Sequence, residues 1–290
     1  MSEAVVYVGR IERSRYVRCC GRELHVLEWG AVEAPSIVAW HGIARNAADF
    51  AVLGNALSRQ FRVIAPDTIG RGLSQWSPNP ESEYAVPFYV QLAHALFDEL
   101  AIERAGWIGT SMGGIVGLAA AATLLRRRIS ALFLNDITPA APDIEGLRRI
   151  AGYMANPPQF ETVVEFETYL RTVYAPGGPR GDDAWRATAE ASLRRLPNGK
   201  ITPHYDPDIA RAFDNLETVS DLWDAYDSLS LPVCLLRGGG SDIANAADAR
   251  RMTQRGPMAQ IHELPAIGHA PWLDTPEQID LVRDFFSTHF

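Results

Sequence analysis

The chain has 290 residues, of which 47% are hydrophobic and 21% are charged, and its formal net charge is −8. This length and composition exclude an intrinsically disordered protein and fit a single α/β domain that carries an insertion. No apolar run approaches the roughly 20 residues of a membrane-spanning helix, and the acidic balance argues against nucleic acid or an anionic membrane surface as a partner.

Cysteine usage and the first residues indicate a reduced, cytoplasmic protein. Three cysteines are too few for a disulfide framework, and Cys19 and Cys20 are adjacent, so they cannot form an ordinary unstrained bridge. No CxxC or HExxH spacing is present, so we predict no metal ion. We also expect no cofactor. Residues 1–15 lack a charged segment followed by an apolar one, so we expect no export signal.

Short apolar runs alternate with longer helical patterns along the chain, which is typical of a mostly parallel sheet flanked by helices. The first two runs flank a Gly21-Arg22 turn and predict an opening hairpin. The predicted strands are, in chain order, 16–20, 24–29, 36–40, 62–66, 106–109, 129–134, 232–237 and 260–264. The predicted helices lie near 47–59, 87–100, 112–125, 246–254 and 276–286.

Residues 139–215 interrupt this alternation. The segment is rich in proline, holds amphipathic pieces at 162–174 and 183–196, and is followed by no comparable strand-like run until residue 232. We interpret it as a helical cap, or lid, inserted after the sixth strand. The remaining residues, 1–138 and 216–290, then form the core domain.

The strongest chemical signal is a G-x-S-x-G motif from Gly109 to Gly113, directly after a predicted strand and before a predicted helix. A sharp strand-to-helix turn exposes the side chain of the middle residue, Ser111, and small flanking residues permit the close approach of the two backbones. The following helix N-terminus directs N–H groups towards a developing oxyanion. The alternative is a glycine-rich turn in which the serine only caps the helix.

A nucleophilic serine needs a base and a carboxylate that orients it. His269 lies in an irregular loop after the last predicted strand, and Asp242 follows the preceding strand through a glycine-rich turn. Both therefore leave the sheet edge that also carries Ser111. The alternatives are a surface-loop histidine and an aspartate that caps a helix. We predict Ser111, His269 and Asp242 as the catalytic residues.

Four motifs in this order resemble those of the α/β-hydrolase superfamily. They are His41-Gly42, the D-x-x-G-x-G-x-S turn of residues 67–74, the serine turn of residues 109–113 and the terminal Gly268-His269. The resemblance covers about residues 16–289 and implies an α/β-hydrolase sheet flanked by helices, with the 139–215 insertion as its cap. It also implies that the backbone N–H groups of Ile43 and Met112 form the oxyanion hole.

Differences between this sequence and the motifs of some superfamily members argue against the activities of those members. Epoxide hydrolases and haloalkane dehalogenases of the superfamily place aspartate where this chain has Ser111. The meta-cleavage C–C hydrolases usually carry Ser-Gly-Pro-Gly after the H-G pair, where this chain has residues 43–46, Ile-Ala-Arg-Asn. Asp136 ends the strand after the serine helix, where some members keep the catalytic acid. Asp242 matches the commoner site, so we interpret Asp136 as structural.

Three side chains are candidates for substrate contacts. Arg45 could pair with a substrate carboxylate, and the alternative is a solvated loop arginine. His204 leaves the predicted cap and could border the pocket, although a proline-rich hinge fits equally. Trp272 could wall the pocket, and the alternative is a tryptophan that packs in the core.

The sequence thus predicts a cytoplasmic serine hydrolase that cleaves a small carboxylic ester or lactone through an acyl-enzyme. Its expected partner is a small-molecule substrate, and a homodimer remains open. C–C bond hydrolysis of a ring-cleavage product is the first alternative, and a cofactor-free, haloperoxidase-like perhydrolase is the second. A ligand receptor with the same fold is the alternative outside enzymes.

Overall fold

The computed structural model describes residues 13–213 and 221–290. Within these residues, the strands are β1 (Arg13–Cys19), β2 (Arg22–Trp29), β3 (Ser36–Trp40), β4 (Arg62–Pro66), β5 (Ala105–Thr110), β6 (Ile129–Asn135), β7 (Leu193–Arg195), β8 (Ile201–Pro203), β9 (Val233–Gly238) and β10 (Gln260–Leu264). The helices are α1 (Ala51–Leu57), α2 (Pro80–Glu83), α3 (Val86–Glu99), α4 (Met112–Ala122), α5 (Ile144–Met154), α6 (Val163–Val173), α7 (Asp182–Ser192), α8 (Trp223–Asp227), α9 (Ala246–Met252) and α10 (Pro276–His289). Short 3-10 helices cover Ala47–Phe50, Ala175–Gly177 and Pro207–Phe213.

The main sheet has the strand order β1-β2-β4-β3-β5-β6-β9-β10. The first two strands form the predicted hairpin, and β2 pairs antiparallel with β4. From β4 to β10 every neighbouring pair is parallel. The carboxyl ends of these parallel strands therefore meet at one edge of the sheet, which is where ligands bind in open α/β sheets.

Alternate residues of the central strands pack into two hydrophobic layers, one on each face of the sheet. In β3, Val38 and Trp40 face the layer that includes α3 and α4. Ile37 and Ala39 face the layer that includes α1 and α10. Burial on both faces explains why these strands read as continuous apolar runs in the sequence. The predicted fold, a mostly parallel sheet flanked by helices, is confirmed.

The insertion after β6 contains α6 and α7, where the two amphipathic pieces indicate helices, and also α5, which those pieces do not cover. It further contains a small antiparallel hairpin of β7 and β8. The hairpin was not predicted, because each strand has only three residues and β7 carries two arginines. Phe166, Leu170 and Trp185 form a separate hydrophobic cluster inside the insertion. Its division from the core at residues 139 and 215 stays a prediction, and residue 215 lies outside the described residues.

Within the described part of the chain, none of the helices has both the length and the apolar character that crossing a membrane requires.

Candidate active site

The turn between β5 and α4 holds Ser111 in an unusual backbone conformation, with φ of 52° and ψ of −115°. Its two flanking glycines are sterically required. A Cβ on Gly109 would lie 2.3 Å from the carbonyl oxygen of Gly113, and one on Gly113 would lie 2.0 Å from that of Trp40. Strain of this kind persists only when the surrounding structure imposes it, and it is concentrated at functional sites. The G-x-S-x-G pattern is therefore a constrained turn that exposes the serine hydroxyl.

His269 reaches Ser111 from the loop after β10. Its Nε2 lies 2.9 Å from the Ser111 Oγ, and its side chain is 10% exposed. The structure thus brings together the predicted nucleophile and the predicted base, 158 residues apart in the chain. A serine hydroxyl hydrogen-bonded to an imidazole nitrogen is the arrangement that general-base activation requires.

Asp136, and not Asp242, is the carboxylate that contacts His269. The Oδ2 atom of Asp136 accepts a hydrogen bond from His269 Nδ1 at 2.7 Å, and in the neutral imidazole this tautomer leaves Nε2 as the acceptor that faces Ser111. The same carboxylate accepts hydrogen bonds from the backbone N–H of Gly238 at 2.8 Å and the hydroxyl of Ser241 at 2.6 Å. Its side chain is fully buried, so these three donors replace the water that the carboxylate loses.

Asp242 is occupied by a different partner. Its carboxylate accepts two hydrogen bonds from Arg149 of α5, at 2.7 Å from Nε and 3.0 Å from Nη2. Burial alone would raise the pKa of Asp242, but the Arg149 guanidinium more than offsets this and lowers it. The prediction of Asp242 as the acid of the triad is wrong in this geometry, because its carboxylate is bound to the insertion rather than to His269.

The two aspartates were hard to separate in sequence because both follow adjacent parallel strands. Asp136 comes directly after β6 and Asp242 comes four residues after β9, and these strands pair side by side. Which of the two carboxylates reaches His269 is visible only in the structure. Ser241 was missed entirely, since a serine in a glycine-rich loop carries no marker of its contact with an aspartate 105 residues earlier.

The predicted oxyanion donors lie on either side of Ser111. Met112 is the first residue of α4, so its backbone N–H has no acceptor within the helix. Ile43 lines the cavity that contains Ser111. A Cβ on the neighbouring Gly42 would lie 3.8 Å from the Cβ of Ser111, which measures how closely this loop passes the nucleophile. Their role as oxyanion donors stays a prediction.

A fully buried arginine fixes this loop in place. Arg71 Nε donates to the Ile43 carbonyl at 2.9 Å, and Nη2 lies 3.7 Å from the sulfur of Met112. Its Nη1 donates to the Ile69 carbonyl and to the Tyr89 hydroxyl, both at 2.8 Å. The D-x-x-G-x-G-x-S turn thus supplies one side chain that contacts both residues predicted to hold the oxyanion.

His41 fixes the same loop from within. Its Nδ1–H donates to the Gly42 carbonyl at 2.7 Å, and its Nε2 accepts from the backbone N–H of Thr68 at 2.9 Å. This pattern requires the neutral imidazole. Complete burial lowers the pKa of His41 to about 4, and the nearby Asp67 carboxylate offsets only part of that effect.

Ser111 and His269 lie in a cavity between the sheet edge and the insertion. Arg45 lines this cavity but is buried, which excludes the solvated-loop alternative. Its Nε donates to Asp49 at 2.9 Å, its Nη2 makes a second short contact with the same carboxylate, and its guanidinium lies 4.8 Å from the ring centre of Tyr174. Burial alone would lower the pKa of Arg45, but Asp49 more than compensates and raises it. Arg45 is therefore a fixed part of the wall.

Of the other two substrate candidates, the structure brings only Trp272 to this cavity. Trp272 lines it and packs edge-on against Tyr174, with ring centres 6.0 Å apart. His204 lines a smaller neighbouring cavity instead, where burial lowers the pKa of its imidazole. The structure therefore does not place His204 in the lining of the cavity that contains Ser111. Among residues 13–213 and 221–290, no cluster of three or more His, Cys, Asp or Glu side chains is arranged to hold a metal ion.

A strained serine, a histidine hydrogen-bonded to it and a buried carboxylate behind that histidine define the geometry of a serine hydrolase. The fold and the order of these residues agree with an independent match: the model of the alpha/beta hydrolase family covers residues 37–280. The chain belongs to this family, and it is a hydrolase.

Named relatives are similar over most of their length. A 3-hydroxybutyrate-oligomer hydrolase from Cupriavidus necator is 34% identical, with 90% of this chain and 91% of the relative covered. A 2-(acetamidomethylene)succinate hydrolase from Mesorhizobium japonicum is 30% identical, with 85% and 84% covered. The crystal structure of an alpha/beta hydrolase from Novosphingobium aromaticivorans has a TM-score of 0.84 and 34% identity, with 95% of this chain and 98% of that one covered.

Proposed function

We propose that this hydrolase cleaves a small carboxylic ester or lactone through a covalent acyl-enzyme on Ser111. The observation that carries the proposal is the unbroken chain of hydrogen bonds from Ser111 through His269 to Asp136. Ser111 and His269 line a cavity that is partly closed by the insertion. A hydroxyl activated in this way attacks an acyl carbon, which is the chemistry common to serine hydrolases.

In the acylation step, Ser111 Oγ bonds to the substrate carbonyl carbon while His269 Nε2 takes the hydroxyl proton. Asp136 stabilises the imidazolium that forms, and His269 then returns the proton to the departing alcohol oxygen. Water repeats the sequence in the second half: it loses its proton to His269, attacks the acyl carbon, and releases the acid and a regenerated Ser111. The N–H groups of Ile43 and Met112 would hold the oxyanion in both halves, each contributing about 3–4 kcal/mol to the transition state.

The insertion supports a small substrate. Arg149, Tyr153, Tyr174 and Gly177 of the insertion line the cavity opposite Ser111, so we propose that residues 139–215 act as the cap of this site. A cap that closes over a cavity accommodates a compact molecule rather than a polymer surface. The similarity to a 3-hydroxybutyrate-oligomer hydrolase also favours a short acyl group.

Replacement of Ser111 by alanine tests the proposal. We expect Ser111→Ala to reduce the hydrolysis of p-nitrophenyl butyrate by at least about a thousandfold, because no other group replaces the nucleophile. For the wild type, turnover should fall from p-nitrophenyl acetate and butyrate to octanoate. The measurement is steady-state release of p-nitrophenol, with circular dichroism to confirm the fold of the variant.

Ser130→Ala is the matched control. Ser130 is a buried serine near the start of β6, at the end of the strand away from Asp136, and its hydroxyl has no hydrogen-bond partner among the described residues. It should keep wild-type turnover. Near-normal hydrolysis by Ser111→Ala would refute the mechanism. Covalent labelling of Ser111 by a fluorophosphonate without ester turnover would instead favour C–C hydrolysis or peroxide as the acyl acceptor. Absence of labelling would favour a ligand receptor.

A further inference from the structure

The cavity wall contains an arginine, Arg149 of α5, that the proposed mechanism does not use. Besides the catalytic histidine, the ionic side chains that line the cavity in the described parts of the chain are Arg45, Asp49 and Arg149. Arg45 and Asp49 neutralise each other within the wall. Asp242, which pairs with Arg149, does not line the cavity. The lining therefore contains one arginine whose ion-pair partner, Asp242, is not itself part of the lining.

The packing of α5 holds Arg149 in this position. Gly146 lies one helical turn before it, and a Cβ there would come within 2.4 Å of the backbone carbonyl oxygen of Asp242. Residues three apart share one face of a helix, so the close contact at Gly146 places the Arg149 side chain directly over Asp242. The two hydrogen bonds from Arg149 to the Asp242 carboxylate then fix the plane of the guanidinium.

Arg149 keeps most of its donors. A guanidinium has five N–H groups, and Asp242 accepts from Nε and Nη2 alone. No acceptor for Nη1 of Arg149 is found among residues 13–213 and 221–290. The side chain is 36% exposed, against 9% for Arg45, whose Nε and Nη2 both face Asp49. Arg149 can thus accept a new anionic partner without losing the old one.

Because the Arg149–Asp242 ion pair is partly exposed, a shift of the Arg149 guanidinium away from Asp242 would also cost little free energy. An ion pair of this kind contributes at most about 1 kcal/mol, so tilting Arg149 towards a ligand sacrifices little stability. A ligand carboxylate that enters a cavity lined by aromatic side chains, by contrast, loses part of its hydration and is stabilised by a cation beside it. A planar guanidinium matches a carboxylate with two parallel hydrogen bonds.

From this geometry we propose that Arg149 binds a free carboxylate of the substrate, at the end of the acyl chain remote from the scissile carbonyl. The preferred substrates are then short esters whose acyl part carries its own carboxylate. This assignment rests on the proposed function, since it describes the acyl side of the same reaction. It replaces Arg45 as the carboxylate-binding residue that the sequence suggested. Both arginines use Nε and Nη2 for an aspartate, but Arg45 is 9% exposed and fixed in the wall, whereas Arg149 is 36% exposed.

The test compares one charged and one neutral substrate of similar length, mono-p-nitrophenyl glutarate and its methyl ester. In the wild type, kcat/KM should be at least tenfold higher for the monoacid. In Arg149→Gln, kcat/KM for the monoacid should fall by about 10–100-fold, mainly through KM, because a hydrogen bond to a charged group is lost. For the methyl ester it should change by less than about threefold. Arg149→Lys should lie between, because it keeps the charge but not the paired donors.

Arg148→Gln is the matched control, because Arg148 is the neighbouring residue of α5, pairs with Glu145 at the surface and does not line the cavity. It should leave both substrates unaffected. Equal losses on both esters in Arg149→Gln, or no preference of the wild type for the monoacid, would overturn the assignment of Arg149 while leaving the ester hydrolase intact. If neither ester shows turnover that depends on Ser111, the proposed function fails first, and the assignment falls with it.

Discussion

At the scale of single residues, the acid of the triad shows what a sequence can and cannot specify. Ser111 and His269 were identified because each lies in a short motif whose geometry is local. The acid has no such motif. Its identity depends on which of two neighbouring strand ends points its carboxylate towards the histidine, and the structure places Asp136 there. Asp136 also accepts hydrogen bonds from Gly238, the last residue of β9, and from Ser241 in the loop that carries Asp242.

His41 gives a prediction for the pH dependence of stability. Burial lowers its pKa from the ordinary 6.5 to about 4, so the unfolded chain binds a proton between these values that the folded chain does not. The free energy of unfolding should therefore fall as the pH drops from 6.5 towards 4, by up to about 3 kcal/mol from this residue. His41→Gln should remove that part of the slope. Urea unfolding at several pH values between 4 and 7.5 measures it.

The free energy of unfolding is plotted against pH for the wild type and for His41→Gln. The difference between these two curves isolates the contribution of His41, because the other groups that titrate in this range are present in both proteins. His41→Asn serves as a second variant, which guards against an effect specific to glutamine. Parallel curves for the wild type and both variants would show that protonation of His41 does not cause the loss of stability at low pH.

At the scale of elements, the sequence predicted the parallel strands well because burial on both faces leaves a strong local signature. The strands Ser36–Trp40, Arg62–Pro66 and Gln260–Leu264 begin and end where the apolar runs do. The β7–β8 hairpin had no such signature, since its pairing depends on contacts within the insertion. The start of α10 was also predicted. Thr275 caps the helix by accepting a hydrogen bond from the N–H of Gln278, and Pro276 occupies the first helical position.

The insertion is joined to the core by a largely buried ion pair. Arg180, just before α7, donates from Nε to Asp274 at 2.8 Å and from Nη1 to Thr188 at 2.7 Å. Its guanidinium lies 4.1 Å from the ring centre of Trp272, which lines the cavity. The two ion-paired side chains are 8% and 13% exposed, so loss of one partner leaves a charge that water scarcely reaches.

We expect Arg180→Gln to lower the free energy of unfolding by roughly 3–5 kcal/mol, because Asp274 then stays buried without its counter-ion. Arg186→Gln on α7 is the control: its ion pair with Asp183 is exposed, so its loss should cost at most about 1 kcal/mol. Urea unfolding of the three proteins at one pH measures both effects. Equal stability of the two variants would show that Arg180 does not anchor the insertion.

At the scale of the whole molecule, the parallel sheet explains why residues so distant in sequence meet. The loop after β3 supplies Ile43, the turn after β5 supplies Ser111, the end of β6 supplies Asp136, and the loop after β10 supplies His269. The order of the strands was not available from the sequence, and it decides which loops are neighbours. The sheet edge and the meeting of Ser111 with His269 were therefore predictable, whereas the aspartate that pairs with His269 was not.

The central claim is that Ser111, His269 and Asp136 act as one unit, and the most direct measurement is the rate at which an uncharged fluorophosphonate modifies Ser111. Intact-protein mass spectrometry follows the adduct in the wild type, Asp136→Asn and Asp242→Asn, with Ser111→Ala as the blank. The structure predicts that Asp136→Asn slows labelling by roughly 10³–10⁴-fold, since His269 loses the carboxylate that orients it and stabilises its charge. Asp242→Asn should stay within about threefold of the wild type, because its carboxylate is bound to Arg149 on the exposed side of the site. A large loss in Asp242→Asn together with normal labelling of Asp136→Asn would contradict the account.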